Sequence, residues 1–182
     1  MPTEISGSTG VNKIQDNTIV NADINSSAAI AGSKLVMPTG SVLQVVYGYT
    51  NSATGVATTS YTDIGLSASI TPSNSSSKIL VTWHITALLT ETGSDRGYAI
   101  KTLRDSTNVY EPSTQYAHGY TYNPATSTST QNTAHASSSF LDSPSSTSSI
   151  TYKCQAKSLD GRHVDINATG GRAMITLMEI AG

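Results

Sequence analysis

The chain is short of charge. Asp, Glu, Lys and Arg make up 12% of its 182 residues, where ordinary soluble domains carry about 25%. The formal net charge is −2 and no Lys/Arg cluster occurs, so the electrostatic footprint of a nucleic-acid or acidic-membrane binder is missing. There is one cysteine, Cys154, which excludes an internal disulfide and fits assembly in a reducing cytosol. Cys154 falls in a strand-like alternation and reads as a buried thiol, not a nucleophile. No apolar run approaches the roughly 18 residues that cross a bilayer, so no membrane insertion is expected. The Met1–Glu4 start has neither a basic region nor an apolar run, and no signal peptide is expected.

Signatures of chemistry are equally scarce. No G-x-S-x-G, P-loop or dinucleotide fingerprint is present. His84, His118, His135 and His163 have no metal-ligand spacing, and with a single cysteine no zinc site and no cofactor is expected. His84, within a strand pattern, reads as structural. Glu91, Asp95, Asp142, Asp160 and Asp165 are carboxylates that a fold could pair, and a glycosidase would need two of them facing across a defined gap. The expectation is a protein that is not an enzyme.

What is plentiful is hydroxyl: 28 Ser and 26 Thr. Thr favours strands and Ser favours turns. With 37% hydrophobic residues and little net charge, the chain can bury a core and does not read as disordered.

The N-terminal stretch has an unusual period. Ile14, Ile19, Ile24, Ile30 and Leu35 recur at steps of five, with one step of six, separated by Asn, Asp, Ser, Thr and Ala. Helical faces need steps of three or four, and an odd step changes face on a strand. An extended, turning chain that turns one apolar side chain inward per repeat fits, and such a row becomes a core only when sister chains supply the other walls. An irregular tail pinned on its own globular body also fits. Met37-Pro38-Thr39-Gly40 breaks the pattern, which sets the boundary between an extended arm, 1–38, and a body, 39–182.

The body reads as strands. Ser41–Thr50 is apolar and β-rich. Ile64, Leu66, Ala68 and Ile70 alternate with small polar residues, as in a half-buried strand. In Lys78–Thr90, Ile79, Val81, Trp83, Ile85, Ala87 and Leu89 form one face, with Trp83 as a core anchor. The opposite face, Leu80, Thr82, His84, Thr86 and Leu88, is mixed and suits a second sheet or a subunit contact. Arg96–Arg104 and Asn108–Tyr110 read as a hairpin, and 134–141, 150–156, 164–166 and 172–180 as further strands. Eight or more strands with no helical period predict an all-β fold, a jelly-roll-like antiparallel β-sandwich preceded by the arm.

Between Tyr110 and Pro124 lie four of the nine tyrosines. Tyrosine offers a rigid stacking face and a hydroxyl, which suits contact surfaces and sugar recognition. Tyr116, His118, Tyr120 and Tyr122 are therefore candidate receptor contacts. In the competing reading Tyr116, Tyr120 and Tyr122 alternate along one more strand and pack inward or on a neighbouring subunit.

The arm from Ile14 to Ile24 with its Ala28–Leu35 continuation, the entry Pro38–Val46, the segment Leu66–Val81 and the ending Thr176–Ile180 resemble fibre and appendage proteins of tailed bacteriophages, in the style of marine and cyanobacterial phages. The resemblance covers about half the chain and matches no catalytic motif. It implies a homotrimer in the virion, assembled in the host cytoplasm, whose N-terminal part attaches to other virion proteins and whose β-domain projects outward. Two roles follow from it: a short fibre or spike touching a host-surface glycan or protein, and a capsid decoration (cement) or adaptor protein. The short arm favours decoration; the hydroxyl-rich tyrosine stretch favours receptor contact.

Overall fold

The computed structural model describes residues 35–91, 94–113, 118–123 and 129–182. The chain divides between Val36 and Met37, and the second unit, Met37–Gly182, is the body. It is all-β: two antiparallel sheets packed face to face, with no α-helix among the described residues and a single 3₁₀ turn at Ala168–Gly170. The arm residues Ile14, Ile19, Ile24 and Ile30 lie outside the described residues; Leu35 is exposed.

The strands are β1 (Val42–Thr50), β2 (Thr54–Val56), β3 (Thr62–Ile70), β4 (Lys78–Glu91), β5 (Ser94–Arg104), β6 (Thr107–Tyr110), β7 (Gly119–Asn123), β8 (Thr130–Asp142), β9 (Ile150–Ser158), β10 (Val164–Ile166) and β11 (Ala173–Ile180). Their pairing is nested. The tight β5–β6 turn, with Asp105 in the left-handed region at φ 51°, closes the innermost pair, and β7 extends it along the rest of β5. Around it come β4 with β8, β3 with β9, and β1 with β11. This is a long antiparallel ribbon, and the successive pairs alternate between the two sheets. Contacts β11·β4 and β9·β5 join the pairs laterally. The first sheet thus runs β1-β11-β4-β8 and the second β3-β9-β5-β6, with β10 and β2 lengthening the first past the end of β11. Ribbon wrapping of this order is a jelly roll.

The core forms as strand alternation dictates. Along β4 the inward residues from Ile79 to Leu89 are all buried, Trp83 among them at 3% exposure, and so are Ile64, Leu66 and Ile70 of β3 and Ile175 and Leu177 of β11. Burying residues of this size stabilises by about 1.5–3 kcal/mol each before entropy is charged against it. β1 crosses close over β3: a Cβ at Gly48 would collide with the carbonyl oxygen of Ser67. β11, the last strand of the chain to be laid down, lies centrally between β1 and β4.

Candidate functional site

The outer face of the first sheet can be assembled from its registers. Antiparallel partners share a face, so the pairings Val45↔Met178, Met178↔Leu80 and Leu80↔Leu141 place four apolar side chains in one row across β1, β11, β4 and β8. The next row is Tyr47, Thr176, Thr82 and Ser139, and the one after it Tyr49, Met174, His84 and Ser137. None of these twelve residues is charged. Lys78, opposite Ile180, borders the patch at one end. Arg172 borders it at the other, its guanidinium 4.5 Å from the Tyr49 ring centre and donating to Asn51 Oδ1 at 3.0 Å.

Ten large hydrophobic side chains are exposed among the described residues, and Val42, Val45, Tyr47, Tyr49 and Leu141 belong to this sheet's outer side. Three others, Leu35, Val36 and Met37, lie at the arm junction, and the remaining two are Tyr120 and Tyr122. The face has relief. Tyr47 and Tyr49 stack with ring centres 5.7 Å apart, making a ridge on β1. Tyr47 also forms one wall of an open depression of about 520 Å³, lined further by Thr82, His84, Met174, Thr176 and Ser137–Ser139. Short serines and threonines leave the dent where larger residues would fill it. His84 and His135, on adjacent strands, stack with ring centres 5.6 Å apart. His84, read as structural within its strand, therefore stands on the outer face.

One edge of this sheet is equally bare. β8 pairs with β4 through an uninterrupted register from Asp142 to Thr130 and carries no charged residue before Asp142, no proline and no bulge. Natural edge strands are normally guarded by such features.

The candidate receptor residues separate. Tyr120 and Tyr122 lie on β7 and are 43% and 62% exposed. The Tyr120 hydroxyl donates to Asp95 Oδ2 at 2.8 Å, which fixes its ring upright beside β5. So the additional strand exists, and these two tyrosines point outward from it. Tyr116 lies outside the described residues. His118 faces inward. On the side of β5 away from β9, the backbone between the β7- and β6-paired halves has no strand partner, and there the Ile100 N–H donates to His118 Nδ1 at 3.0 Å. Nδ1 is thus the acceptor, and Nε2 carries the proton facing the Tyr110 hydroxyl at 3.3 Å. The imidazole packs edge-on to Trp83 at 5.3 Å. Burial holds its pKa below the usual histidine value.

The carboxylates are engaged separately. Asp142 Oδ2 accepts from Arg104 at 2.7 Å and from the Tyr152 hydroxyl at 2.6 Å. Asp160 meets Arg96 and Arg162, and Asp165 faces His163 at 3.5 Å. The side chain of Glu91 lies outside the described residues. Among the described residues no group of three or more His, Cys, Asp or Glu is placed to hold a metal ion. Cys154 is buried, its thiol pushed up to about 12 by that burial.

No protein-family model matches the chain, and no curated protein matches it.

Proposed function

We propose that this is a non-enzymatic structural protein of a bacteriophage virion: a homotrimeric short fibre or spike that attaches to other virion proteins through its N-terminal arm and presents its jelly-roll head to a host-surface glycan or protein. The observation that carries the reading is the uncharged, partly apolar outer face of the β1-β11-β4-β8 sheet. Contiguous apolar patches of several hundred Å² on a soluble protein mark interaction sites, and this one suits a subunit that functions inside an assembly. The arm's five-residue isoleucine period, which needs sister chains to become a core, supports the same reading, as does the resemblance to phage appendage proteins. The outward pair Tyr120 and Tyr122 sits on the other sheet, where assembly through the first would leave it accessible.

The second reading is a capsid decoration protein or adaptor, favoured by the shortness of the arm. The two are separated by binding full-length protein to host cells and to a glycan array, and in parallel to emptied capsids. The fibre reading expects cell or glycan binding that falls at least tenfold in a Tyr120→Ala/Tyr122→Ala double variant. Tight capsid binding with no cell or glycan binding would reject it in favour of decoration.

A further inference from the structure

The outer face of the first sheet carries two features that fit one another. The stacked Tyr47 and Tyr49 form a ridge on β1, both about half exposed at 49% and 53%. The depression of about 520 Å³ that Tyr47 borders, floored by Ser137, Ser139, Thr82 and Thr176, has room for an aromatic side chain. We propose that this face is the contact between copies of this chain, with the tyrosine ridge of one copy seated in the hydroxyl-lined depression of the next. The inference rests on the homotrimer reading above and names its surface.

Two observations select a second copy over a different protein. The ridge and the depression it borders lie on one face of one chain, so every copy offers both halves of the contact. The face also lacks charge across all four strands. Near a symmetry axis each group approaches its own kind, and a like charge there is repelled by its copy; a different partner would impose no such rule and could use charge pairing.

Four strands at roughly 4.8 Å and three uncharged rows of side chains at roughly 6.7 Å give a patch of roughly 400 Å² in projection. A corrugated surface has more accessible area than its projection, which places the patch at the small end of specific interfaces.

The test is the mass of the full-length protein by light scattering and native mass spectrometry, for the wild type, Tyr47→Glu, Ser137→Arg, and Lys153→Glu as a control on the opposite sheet. Tyr47 and Ser137 are exposed in the single chain, so the substitutions leave the sandwich itself intact; circular dichroism verifies this, and Val45→Glu and Ser139→Arg replace any variant that has unfolded. The expected result is an oligomer for the wild type and Lys153→Glu, and folded monomers for the two face variants. An assembled Tyr47→Glu or Ser137→Arg protein overturns the proposed face while leaving the oligomer reading standing. A monomeric wild type overturns both.

Discussion

Glu179 is the position at which the stability of the sandwich can be tested most directly. It occupies an inward site at the end of β11 and is fully buried, 0% exposed, where a hydrophobic residue would continue the alternation. Its carboxylate is saturated: Oε1 accepts from the Ser73 N–H at 2.7 Å and the Ser73 hydroxyl at 2.6 Å, and Oε2 accepts from Gln44 Nε2 at 2.6 Å. Gln44 in turn donates to the Thr71 carbonyl at 2.7 Å. One side chain thus ties the loop after β3 to β1 and β11. Glu179→Ala strips the acceptor from buried donors that each lose a charge-assisted bond worth about 1.5–3 kcal/mol. With incomplete relaxation the expected loss is about 3–5 kcal/mol, the range seen when a buried charge network loses a member. For a chain of this size that lowers the melting temperature by roughly 6–20 °C. Glu179→Gln keeps the shape but turns an amide NH₂ towards the NH₂ of Gln44, and is expected to cost about 1–3 kcal/mol. The pH dependence has a defined sign. Burial pushes the Glu179 carboxyl upward, but the donors from Ser73 and Gln44 outweigh it and hold the pKa below the usual glutamate value. The carboxylate's contribution is then complete above the unfolded glutamate pKa, about 4.3, and is lost as pH falls through the lower folded value. Thermal melts of wild type and Glu179→Gln at pH 7 and at pH 3 read this out. A gap at pH 7 that narrows at pH 3 is expected; equal melting at pH 7, or a gap that does not change with pH, refutes the reasoning.

Trp83→Ala should cost about 3–5 kcal/mol in denaturant unfolding, as large core truncations do, because Trp83 is buried and packs against Tyr110 and His118. His118 has a folded pKa depressed by burial, so the unfolded chain binds the extra proton first and stability falls as pH drops through the ordinary histidine value of about 6.5; His118→Asn, which retains an acceptor for the Ile100 N–H, should flatten the melting-temperature slope between pH 7.5 and 5.5. Cys154, buried with its thiol pushed up to about 12, should resist iodoacetamide in the native protein and react on unfolding, measured by mass spectrometry; rapid native labelling would show that the strand opens. Lys153→Ala removes an ion pair to Asp63 at 3.1 Å whose partners are 34% and 57% exposed, and a surface pair of that kind should change stability by less than about 1 kcal/mol.

Where a strand could be read from the sequence, its apolar residues had period two and were large. β4 is the clearest case: its two faces separate as the alternation of Ile79 to Leu89 requires. The same pattern marked β3, β9 and β11. β2, three residues with a single large apolar side chain at Val56, left no pattern to find. β8 showed only a weak one, because Ala134, Ala136 and Phe140 are separated by His and Ser. The outer face was half legible. Leu80, Thr82 and His84 could be assigned to one side of β4, with a subunit contact as one of its possible uses. The depression depends on Ser137 and Ser139 arriving opposite His84 and Thr82, a register set some fifty residues away in the chain, and no local pattern encodes it. His118 stood among tyrosines in the sequence and read as a contact residue. Its inward turn answers a backbone need, the unpaired N–H of Ile100, that exists only once β6 and β7 have divided β5 between them.

The two outer faces of the sandwich are built on different principles, and the difference argues for a polarised molecule. On the second sheet the ammonium groups of Lys101 and Lys157 lie 4.6 and 4.5 Å from the centre of the Tyr61 ring, and Lys153 pairs with Asp63, which also accepts from Gln155 at 2.7 Å. Exposed pairs of this type add little stability; what they supply is hydration and resistance to association. In a chain with only ten Lys and Arg, three lysines sit on this one face while the three central rows of the other have none. A sheet intended for water on both sides would need such charges on both. The first sheet instead exposes Val45, Tyr47, Tyr49 and Leu141, whose transfer out of water is favourable in proportion to the area covered. The same chain therefore carries a hydrated, ion-paired face on one sheet and an uncharged, partly apolar face on the other, and the proposed contact between copies rests on that asymmetry.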